Sequence, residues 1–313
     1  MMRAPARRQQ RGAALLVAIL LLTLVATIAA HMVWQQWRAT EIEAAERART
    51  QSAWILQGAQ DWARLILRED ARSGKPTSLN EPWATPLAEA RLSSFLAADS
   101  EHTDQTTIDA FVSGEITDAQ ARYNLRNLVL DAKLVPEQID ILTRLCQFAG
   151  IGPGVARGIA DQWLAAATGA AGAPVQPALF DDLAWFGLSA ELLEALRPLV
   201  VVLPTATGVN LNTASREVLA AVIAGIDLGG ADRLVQQRKR SPFASVEDAR
   251  KALGLTGPLP GRDLAVQSAY FEVRGRMRLD ERVLESTALV ERRGGLDVVT
   301  IARSMRPVLT GGR

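Results

Sequence analysis

The residues best suited to metal or nucleophilic chemistry are few in this chain and lie far apart. There are two histidines, His31 and His102, and a single cysteine, Cys146. A structural zinc site needs four such ligands, so these residues cannot supply one. No phosphate-binding loop, nucleophile elbow or paired-carboxylate motif occurs. The sequence therefore predicts a protein that is not an enzyme, and Cys146 is expected to be a buried apolar residue.

Carboxylates, which are the ligands that calcium prefers, occur in three acidic pairs. These are Asp280-Glu281, Glu247-Asp248 and Asp181-Asp182. Calcium takes six to eight oxygen ligands from several positions, and no spacing selects among the pairs. A solvated acidic surface is the simpler interpretation of each pair, so we assign no metal ligand.

Two glycine-containing turns between helices are the other candidate binding sites. One is Ala149-Gly-Ile-Gly-Pro-Gly-Val-Ala156, and the other follows Val209-Asn-Leu-Asn-Thr-Ala214 and leads to Arg238-Lys-Arg240. Both resemble helix-hairpin-helix modules, in which the N–H groups at a helix N-terminus hold a DNA phosphate and basic side chains neutralise it. Acidic residues accompany the bases in both segments. We therefore expect close helix packing here rather than nucleic-acid binding.

The charge composition excludes a general attraction to nucleic acid. The chain has 313 residues and a net charge of +1, from 35 basic and 34 acidic residues. Its first twelve residues hold Arg3, Arg7, Arg8 and Arg11 and no acid, so the remainder is mildly acidic. The length allows one large or two ordinary domains, and a single cysteine allows no internal disulfide.

An uncharged apolar run follows the basic start. It extends from Ala13 to Ala30, and eighteen helical residues at ~1.5 Å each span about 27 Å, close to the hydrocarbon thickness of a bilayer. Trp34 and Trp37 come next, where an aromatic belt would meet the far interface. We predict a transmembrane segment over residues 13–34 with the arginine-rich N-terminus in the cytoplasm.

The helical pattern continues past the membrane segment. Apolar residues recur at three- and four-residue steps from Ile42 to Ile66, with charges between them. One helix over residues 13–70 is therefore predicted, apolar all round in its first half and amphipathic in its second. Small residues at Ala29-Ala30-His31 leave cleavage by an ordinary signal peptidase as an open alternative.

The junction of the basic and apolar segments resembles the start of type IV pilin-like precursors. Arg11-Gly12 directly precedes Ala13-Ala-Leu-Leu-Val17, as in substrates of prepilin peptidase. The resemblance implies that residues 1–12 are a leader peptide, that cleavage falls between Gly12 and Ala13, and that Ala13 is then N-methylated. Most pilins carry glutamate at the fifth mature position, where this chain has Val17. The K-type minor pseudopilins of type II secretion systems are the members that lack this glutamate.

A second segment resembles the same family. Asp118-Ala-Gln-Ala-Arg-Tyr-Asn-Leu-Arg-Asn-Leu128 is similar to a K-type signature in which Asp and Gln precede a Gly-Arg-aromatic-Asn-Leu-Asn segment. Ala121 replaces the usual glycine and Arg126 replaces one asparagine, whereas Asn124 and Asn127 remain. From the residues themselves, we expect these two asparagines to cap turns or the next helix.

The order of elements predicts an α+β fold. A pilin-type antiparallel sheet is expected over residues 71–133 and 263–313, interrupted by an inserted all-α domain over 134–262 of the helix-hairpin-helix or SAM-like kind. Strands are predicted on either side of a turn at Ser113-Gly114, and again near residues 268–277, 283–291 and 298–303. Predicted helices cover 136–147, 155–167, 183–196 and 214–224.

The resemblance implies a single-pass subunit of the bacterial inner membrane with a periplasmic globular part. Such a subunit forms the pseudopilus tip with I- and J-type minor pseudopilins and initiates assembly for the export of folded proteins across the outer membrane. The implied partners also include the major pseudopilin, the inner-membrane assembly platform and prepilin peptidase. Calcium is an implied cofactor, without assigned ligands. A competence-type helix-hairpin-helix DNA receptor is the alternative, and a membrane-anchored periplasmic adaptor is a third, weaker hypothesis.

Overall fold

The computed structural model describes residues 10–92, 110–254, 263–279, 282–294 and 296–308. Most of the predicted leader, together with His102, Asp280 and Glu281, lies outside the described residues, as do the side chains of residues 10–12 and 282. The contacts divide the chain into two units, Met1–Ile55 and Leu56–Arg313.

The described part of the first unit is helical. Helix α1 has the bounds Gln10–Arg72, so the predicted long N-terminal helix is present and ends two residues later than expected. Its apolar side chains are exposed to an unusual degree, with Leu22 70% and Val33 68% exposed. Within the described residues one helix, this one, is long and apolar enough to cross a membrane, and an eighteen-residue stretch of it has a mean hydropathy of 2.8. So much exposed apolar surface requires lipid or apolar partner helices around it.

The second unit contains an antiparallel sheet of five strands in sequential order. Its strands are β1 Leu87–Arg91, β2 Ala110–Asp118, β3 Tyr270–Leu279, β4 Arg282–Arg293 and β5 Asp297–Val308. Each neighbouring pair is antiparallel. The predicted α+β class with an antiparallel sheet is confirmed. The inserted segment separates β2 from β3, which nevertheless pair along their whole length.

The last turns of α1 pack on one face of this sheet. Leu67 is fully buried against Phe271 and Val298, because strands present alternate residues to one face. Gly275 allows the closest approach, since a Cβ atom there would lie 3.1 Å from Leu56 Cδ2. The helix therefore lies directly on the strands at this point.

The predicted turn at Ser113-Gly114 is wrong, because β2 runs through it without a break. Gly114 pairs with Gly275 of β3, and a Cβ atom on Gly114 would lie 3.1 Å from the carbonyl oxygen of Arg274. The glycine permits close contact between strands rather than a change of direction.

The inserted segment forms a helical block. Its helices are α2 Pro136–Phe148, α3 Pro153–Thr168, α4 Ala190–Leu196, α5 Arg216–Val222, α6 Leu228–Arg240 and α7 Val246–Leu253. The helix predicted over 183–196 is divided into a 3₁₀ turn, Phe180–Phe186, and α4. The division falls at Gly187, whose φ of 78° is the left-handed conformation that ends helices.

Short strands tie the ends of the helical block together. Tyr123–Asn124 pairs in parallel with Val200–Val201, and Val209–Asn210 pairs in parallel with Leu264–Ala265. Val129–Leu130 pairs with Lys133–Leu134. The core of the block begins at Tyr123 and ends at Leu264, outside the limits 134–262 expected from the sequence. These flanking segments lack helical periodicity, so pattern alone did not assign them to the block.

Candidate functional site

A buried carboxylate lies where the helical block joins the sheet. Asp118, the last residue of β2, is 4% exposed. Its Oδ1 accepts a hydrogen bond from the backbone N–H of Gln120 at 2.8 Å. Its Oδ2 accepts from Thr213 Oγ1 at 2.6 Å, from Ser268 Oγ at 2.6 Å and from Asn210 Nδ2 at 2.9 Å. One side chain thus joins β2, the block and the segment that leads into β3.

The Asn-Leu-Asn-Thr segment of the sequence supplies much of this junction. The amide nitrogen of Asn210 also lies 3.1 Å from the carbonyl oxygen of Thr77, the residue that follows α1 by five positions. Two residues on, Asn212 Nδ2 donates to the carbonyl oxygen of Phe243, and its Oδ1 accepts from the N–H of the same residue. Both asparagine side chains are therefore structural, and neither is free to bind a ligand.

Gln120 forms a second link between the sheet and the block. Its Nε2 donates to the carbonyl oxygen of Gly208 at 3.1 Å, and its Oε1 accepts from the N–H of Ala269 at 2.6 Å. Gly208 itself has no room for a side chain, because a Cβ atom would lie 2.9 to 3.0 Å from backbone atoms of Leu264. The segment at Gly208, inside the block, therefore lies in direct backbone contact with the strand at Leu264 that leaves the block.

The two retained asparagines of the predicted signature hold the opposite side of the junction. Asn124 caps a 3₁₀ turn, with its Oδ1 accepting from the N–H of Arg126, which confirms the expected capping role. Its Nδ2 donates to the carbonyl oxygen of Thr205 at 2.7 Å. Asn127 Nδ2 donates to the carbonyl oxygen of Thr207, and its Oδ1 accepts from the N–H of the same residue. Asn127 caps no helix among the described residues. Its side chain instead holds the segment around Thr207 in place.

Arg126, the departure from the family signature, also has a structural role. Its Nε donates to the carbonyl oxygen of Leu203 at 3.1 Å, and its guanidinium lies 5.4 Å from the ring centroid of Trp163. Burial lowers the pKa of Arg126. Arg126 thus binds the segment at Leu203, and its guanidinium is stacked on the ring of Trp163.

The electrostatics of the junction are governed by burial. Desolvation raises the pKa of Asp118 above its ordinary value, although the hydrogen bonds from Ser268, Thr213, Asn210 and Gln120 act in the opposite direction. In the described part of the chain no histidine, lysine or arginine donates to this carboxylate. Its donors are two hydroxyl groups, one side-chain amide and one backbone N–H, all of them neutral, and together they form a fully bonded buried network that acts as a rigid joint.

The predicted acidic pairs do not assemble into a metal site within the described residues. Asp181 accepts from Arg197, and Asp182 accepts from the backbone N–H groups that precede its own turn. Glu247 accepts from Arg250 and Asp248 from Ser245. The third pair, Asp280-Glu281, lies outside the described residues. Among the described residues no group of three or more His, Cys, Asp and Glu side chains could hold a metal ion, and calcium stays a prediction without ligands.

The hairpins are poorly arranged to hold a phosphate. In the first hairpin, Arg157 pairs with Asp161 at 2.9 Å. At the N-terminus of α6, the Asp227 carboxylate accepts from the N–H of Gly230 at 2.7 Å, so an anion of the protein already occupies that position. Arg238 is 7% exposed and donates to the carbonyl oxygen of Leu211 at 2.7 Å. The basic cluster expected from the sequence therefore loses one of its three consecutive members to the core.

The remaining residues singled out in the sequence lie apart from the junction. Cys146 is fully buried, as predicted, and burial raises the pKa of its thiol to about 11. Gly12 and Ala13 lie at the start of α1, and Val17 is exposed on the same helix.

Sequence reasoning missed three contributors to the junction, Thr77, Thr213 and Ser268. Thr213 and Ser268 lie 95 and 150 positions from Asp118 in the chain. Nothing in the local sequence around a serine or threonine in a turn indicates that its hydroxyl group bonds to a distant carboxylate. The buried carboxylate at a strand end was the one available indication, because it requires donors from elsewhere.

Comparisons with known proteins agree with the resemblance. A family model described as type II secretion system protein K matches residues 209–274. Type II secretion system protein K of Pseudomonas aeruginosa is 29% identical over 312 residues, covering 90% of this chain and 89% of the relative. The protein of the same name from Pectobacterium carotovorum subsp. carotovorum is 27% identical, covering 92% and 94% of the two chains.

A solved structure supports the fold. It is a crystal structure of the GspK-GspI-GspJ complex from the type 2 secretion system of enterotoxigenic Escherichia coli. The matching chain has a TM-score of 0.59 and 20% sequence identity, with 84% of this chain and 98% of that chain covered. The similarity therefore extends over the sheet and the helical block together.

The apolar N-terminal helix, the antiparallel sheet and these relatives define a minor pseudopilin of a type II secretion system, which is a structural class of protein. Within that class, the chain is similar to the proteins named type II secretion system protein K. The predicted resemblance is confirmed, and the DNA-receptor alternative is not favoured. The helix fits a single-pass membrane anchor that carries a globular part.

Replacing Asp118 by asparagine should destabilise the protein and change its pH dependence. Asparagine offers one acceptor oxygen where the carboxylate serves four donors, so at least one buried donor loses its partner, at a cost of about 1–3 kcal/mol. Because the folded pKa of Asp118 is raised, the native protein holds its proton more tightly than the unfolded chain. That contribution is fully present below the ordinary pKa and is lost as pH rises through the raised value.

Denaturant unfolding of the full chain in detergent, followed from about pH 4 to pH 7, measures both effects. Asp118→Asn should lower the free energy of unfolding and remove the part of its decline with rising pH that Asp118 causes. Asp161→Asn is the control, because Asp161 is an exposed partner of Arg157. Equal stability of the two variants would show that the junction is not important.

Proposed function

We propose that this chain is the tip subunit of a pseudopilus, anchored in the bacterial inner membrane with its globular part in the periplasm. In this role it initiates assembly of the fibre that exports folded proteins across the outer membrane. The observation that carries the proposal is the exposed apolar run that begins directly after Gly12 and continues on one helix towards a pilin-type sheet. Such a run serves first as a membrane anchor and then as a packing surface for neighbouring helices.

The proposed processing follows from the same position. Prepilin peptidase would cut between Gly12 and Ala13, and Ala13 would then be N-methylated. Removal of the basic leader leaves a mature N-terminus that is apolar from its first residue. Without the arginines, less charge has to leave the membrane when the helix moves into a fibre, which lowers the cost of extraction.

Val17 supports a position at the end of the fibre. Its side chain is 57% exposed on α1. A glutamate at this depth would cost several kcal/mol in lipid unless a partner satisfied it, and in pilin-like fibres that partner is thought to be the terminal amine of a neighbouring subunit. A subunit with nothing ahead of it has no need of such a pair, and valine suits it.

The helical block supports the same position. We propose that residues 134–262, together with the flanking segments that share its core, are an insertion in a pilin-type domain formed by 71–133 and 263–313. The junction at Asp118 and Asn210 fixes the block to the sheet. A rigid block of this size should exclude another subunit from the position above, so a single copy would cap the fibre.

The proposed partners are subunits with complementary apolar helices. The related chain of known structure was crystallised in a complex with GspI and GspJ, which supports I- and J-type minor pseudopilins as neighbours here. The major pseudopilin would follow below, and the inner-membrane assembly platform and prepilin peptidase would act on the anchored helix. Calcium is kept as a proposed cofactor on resemblance alone.

The processing proposal predicts the mature N-terminus. Mass spectrometry of the membrane-extracted protein should find a methylated Ala13. Gly12→Asp should leave the precursor uncut because it alters the residue before the scissile bond. Gly58→Asp, at an exposed position on the same helix with open space around it, should be processed normally. A mature terminus near His31 would instead show cleavage by an ordinary signal peptidase.

The tip proposal predicts one copy at one end of each fibre. Immunogold labelling of the helical block should mark a single end of isolated pseudopili, since the block leaves no room for a subunit above it. Antibody against the major pseudopilin should label the shaft of the same fibres and serves as the control. Gold from the helical block at regular intervals along the shaft would contradict the proposal.

A further inference from the structure

Four side chains form a column on one face of α1, directly after the apolar run. His31, Trp34, Gln35 and Arg38 are spaced by three, four and seven residues, which places them on the same side of a helix. The rings of His31 and Trp34 lie 6.2 Å apart with an angle of 29° between their planes. The guanidinium of Arg38 lies 5.6 Å from the Trp34 ring centroid. The column therefore has a histidine at one end, an arginine at the other and an aromatic ring between.

The column presents hydrogen-bond donors. The amide nitrogen of Gln35 lies 2.9 Å from His31 Nε2, and because an amide nitrogen only donates, His31 Nε2 accepts. The neutral ring then carries its proton on Nδ1, which is left to donate elsewhere. Within the described residues no carboxylate pairs with Arg38, whose guanidinium has five N–H groups and no acceptor. All four residues are exposed.

The position of the column matches the headgroup layer of a membrane. Eighteen apolar residues from Ala13 to Ala30 span about 27 Å, so His31 comes where the hydrocarbon ends. Arg38 is seven residues, or ~10.5 Å, further along the helix, and its side chain reaches back to Trp34. The interfacial layer on each side of a bilayer is roughly 5–8 Å thick. The column therefore extends through this layer.

The position of Arg38 favours contact with an anion. Cationic residues close to the outer end of a membrane span are disfavoured relative to the cytoplasmic end. A guanidinium held on an aromatic ring at headgroup depth, without a carboxylate partner among the described residues, is stabilised when it meets a phosphate, for which its planar fork of donors is suited.

We propose that this column binds the headgroup of one phospholipid in the outer leaflet. The Arg38 guanidinium donates to the phosphate, the indole of Trp34 packs beside the glycerol, and His31 Nδ1–H donates to an ester carbonyl deeper in the layer. The column then sets the depth of the anchored subunit, and a subunit that leaves the membrane must release this lipid. The inference rests on the membrane anchor of the proposed function and does not depend on the tip position.

The test compares lipids with and without phosphate on the full chain in detergent micelles. Native mass spectrometry would measure the affinity for phosphatidylglycerol and for digalactosyldiacylglycerol, which has the same ester carbonyls but no phosphate. Arg38→Gln should weaken phosphatidylglycerol binding by roughly tenfold, as expected for loss of a charge-assisted hydrogen bond, and leave the galactolipid unchanged. His31→Leu should weaken both lipids to a similar, smaller extent.

Arg49→Gln is the matched control. Arg49 is an exposed arginine on the same helix without a carboxylate partner among the described residues, and it lies beyond the headgroup layer. The Arg49→Gln variant should bind both lipids as tightly as the unaltered chain does. Inorganic phosphate should not displace phosphatidylglycerol from the unaltered chain. The proposal would be overturned if Arg38→Gln bound phosphatidylglycerol as tightly as the unaltered chain does. It would also be overturned if Arg49→Gln lost as much affinity for this lipid as Arg38→Gln. Displacement by inorganic phosphate would show an adventitious ion only. Binding of neither lipid would refute the headgroup site without bearing on the membrane anchor.

Discussion

The burial of one carboxylate imposes the constraint on which the second unit depends. A charge that is removed from water is tolerated only when its oxygens are satisfied, and Asp118 is satisfied by donors from three separate parts of the chain. The strand end, the helical block and the lead-in to β3 must therefore occupy fixed positions together. Thr77, just after α1, joins the same network through Asn210.

The proposed capping function depends on this rigidity. An insertion attached by flexible linkers would move with respect to the sheet and would not prevent a further subunit from packing above it. Here the side chains of Asp118 and Gln120 hold the block to the sheet. The bonds of Asn124 and Asn127 and the backbone contact at Gly208 hold the ends of the block together. The bulk of the block can then act as a cap, while the exposed apolar length of α1 provides the anchor and the packing surface.

Local patterns were enough to predict the elements but not the junction. The apolar run, the helical periodicity to residue 66 and the alternating strands after residue 268 lie within short windows, and the helix and sheet match them. Arg238 could have been recognised from the sequence as well, because it lies four residues after Leu234 and seven after Ala231, on the buried face of α6. The side-chain donors to Asp118 could not, since they lie 92 to 150 positions away from it. At Ser113-Gly114, turn-forming residue types misled the prediction, because the neighbouring strand that requires a glycine is distant in sequence.

The central claim is that the helical block and the sheet are one cooperative unit, and native-state hydrogen exchange of the full chain in detergent tests it most directly. Gly208→Ala places a methyl group 2.9 to 3.0 Å from the backbone of Leu264, whereas Gly158→Ala adds one in open space on α3 and should stabilise that helix by about 0.5–1 kcal/mol. The account predicts that Gly208→Ala lowers the opening free energy of amides in α3 and in β3 by the same amount. Loss of protection in the helical block alone, with β3 unchanged, would show that the junction does not couple the two parts and would contradict the account.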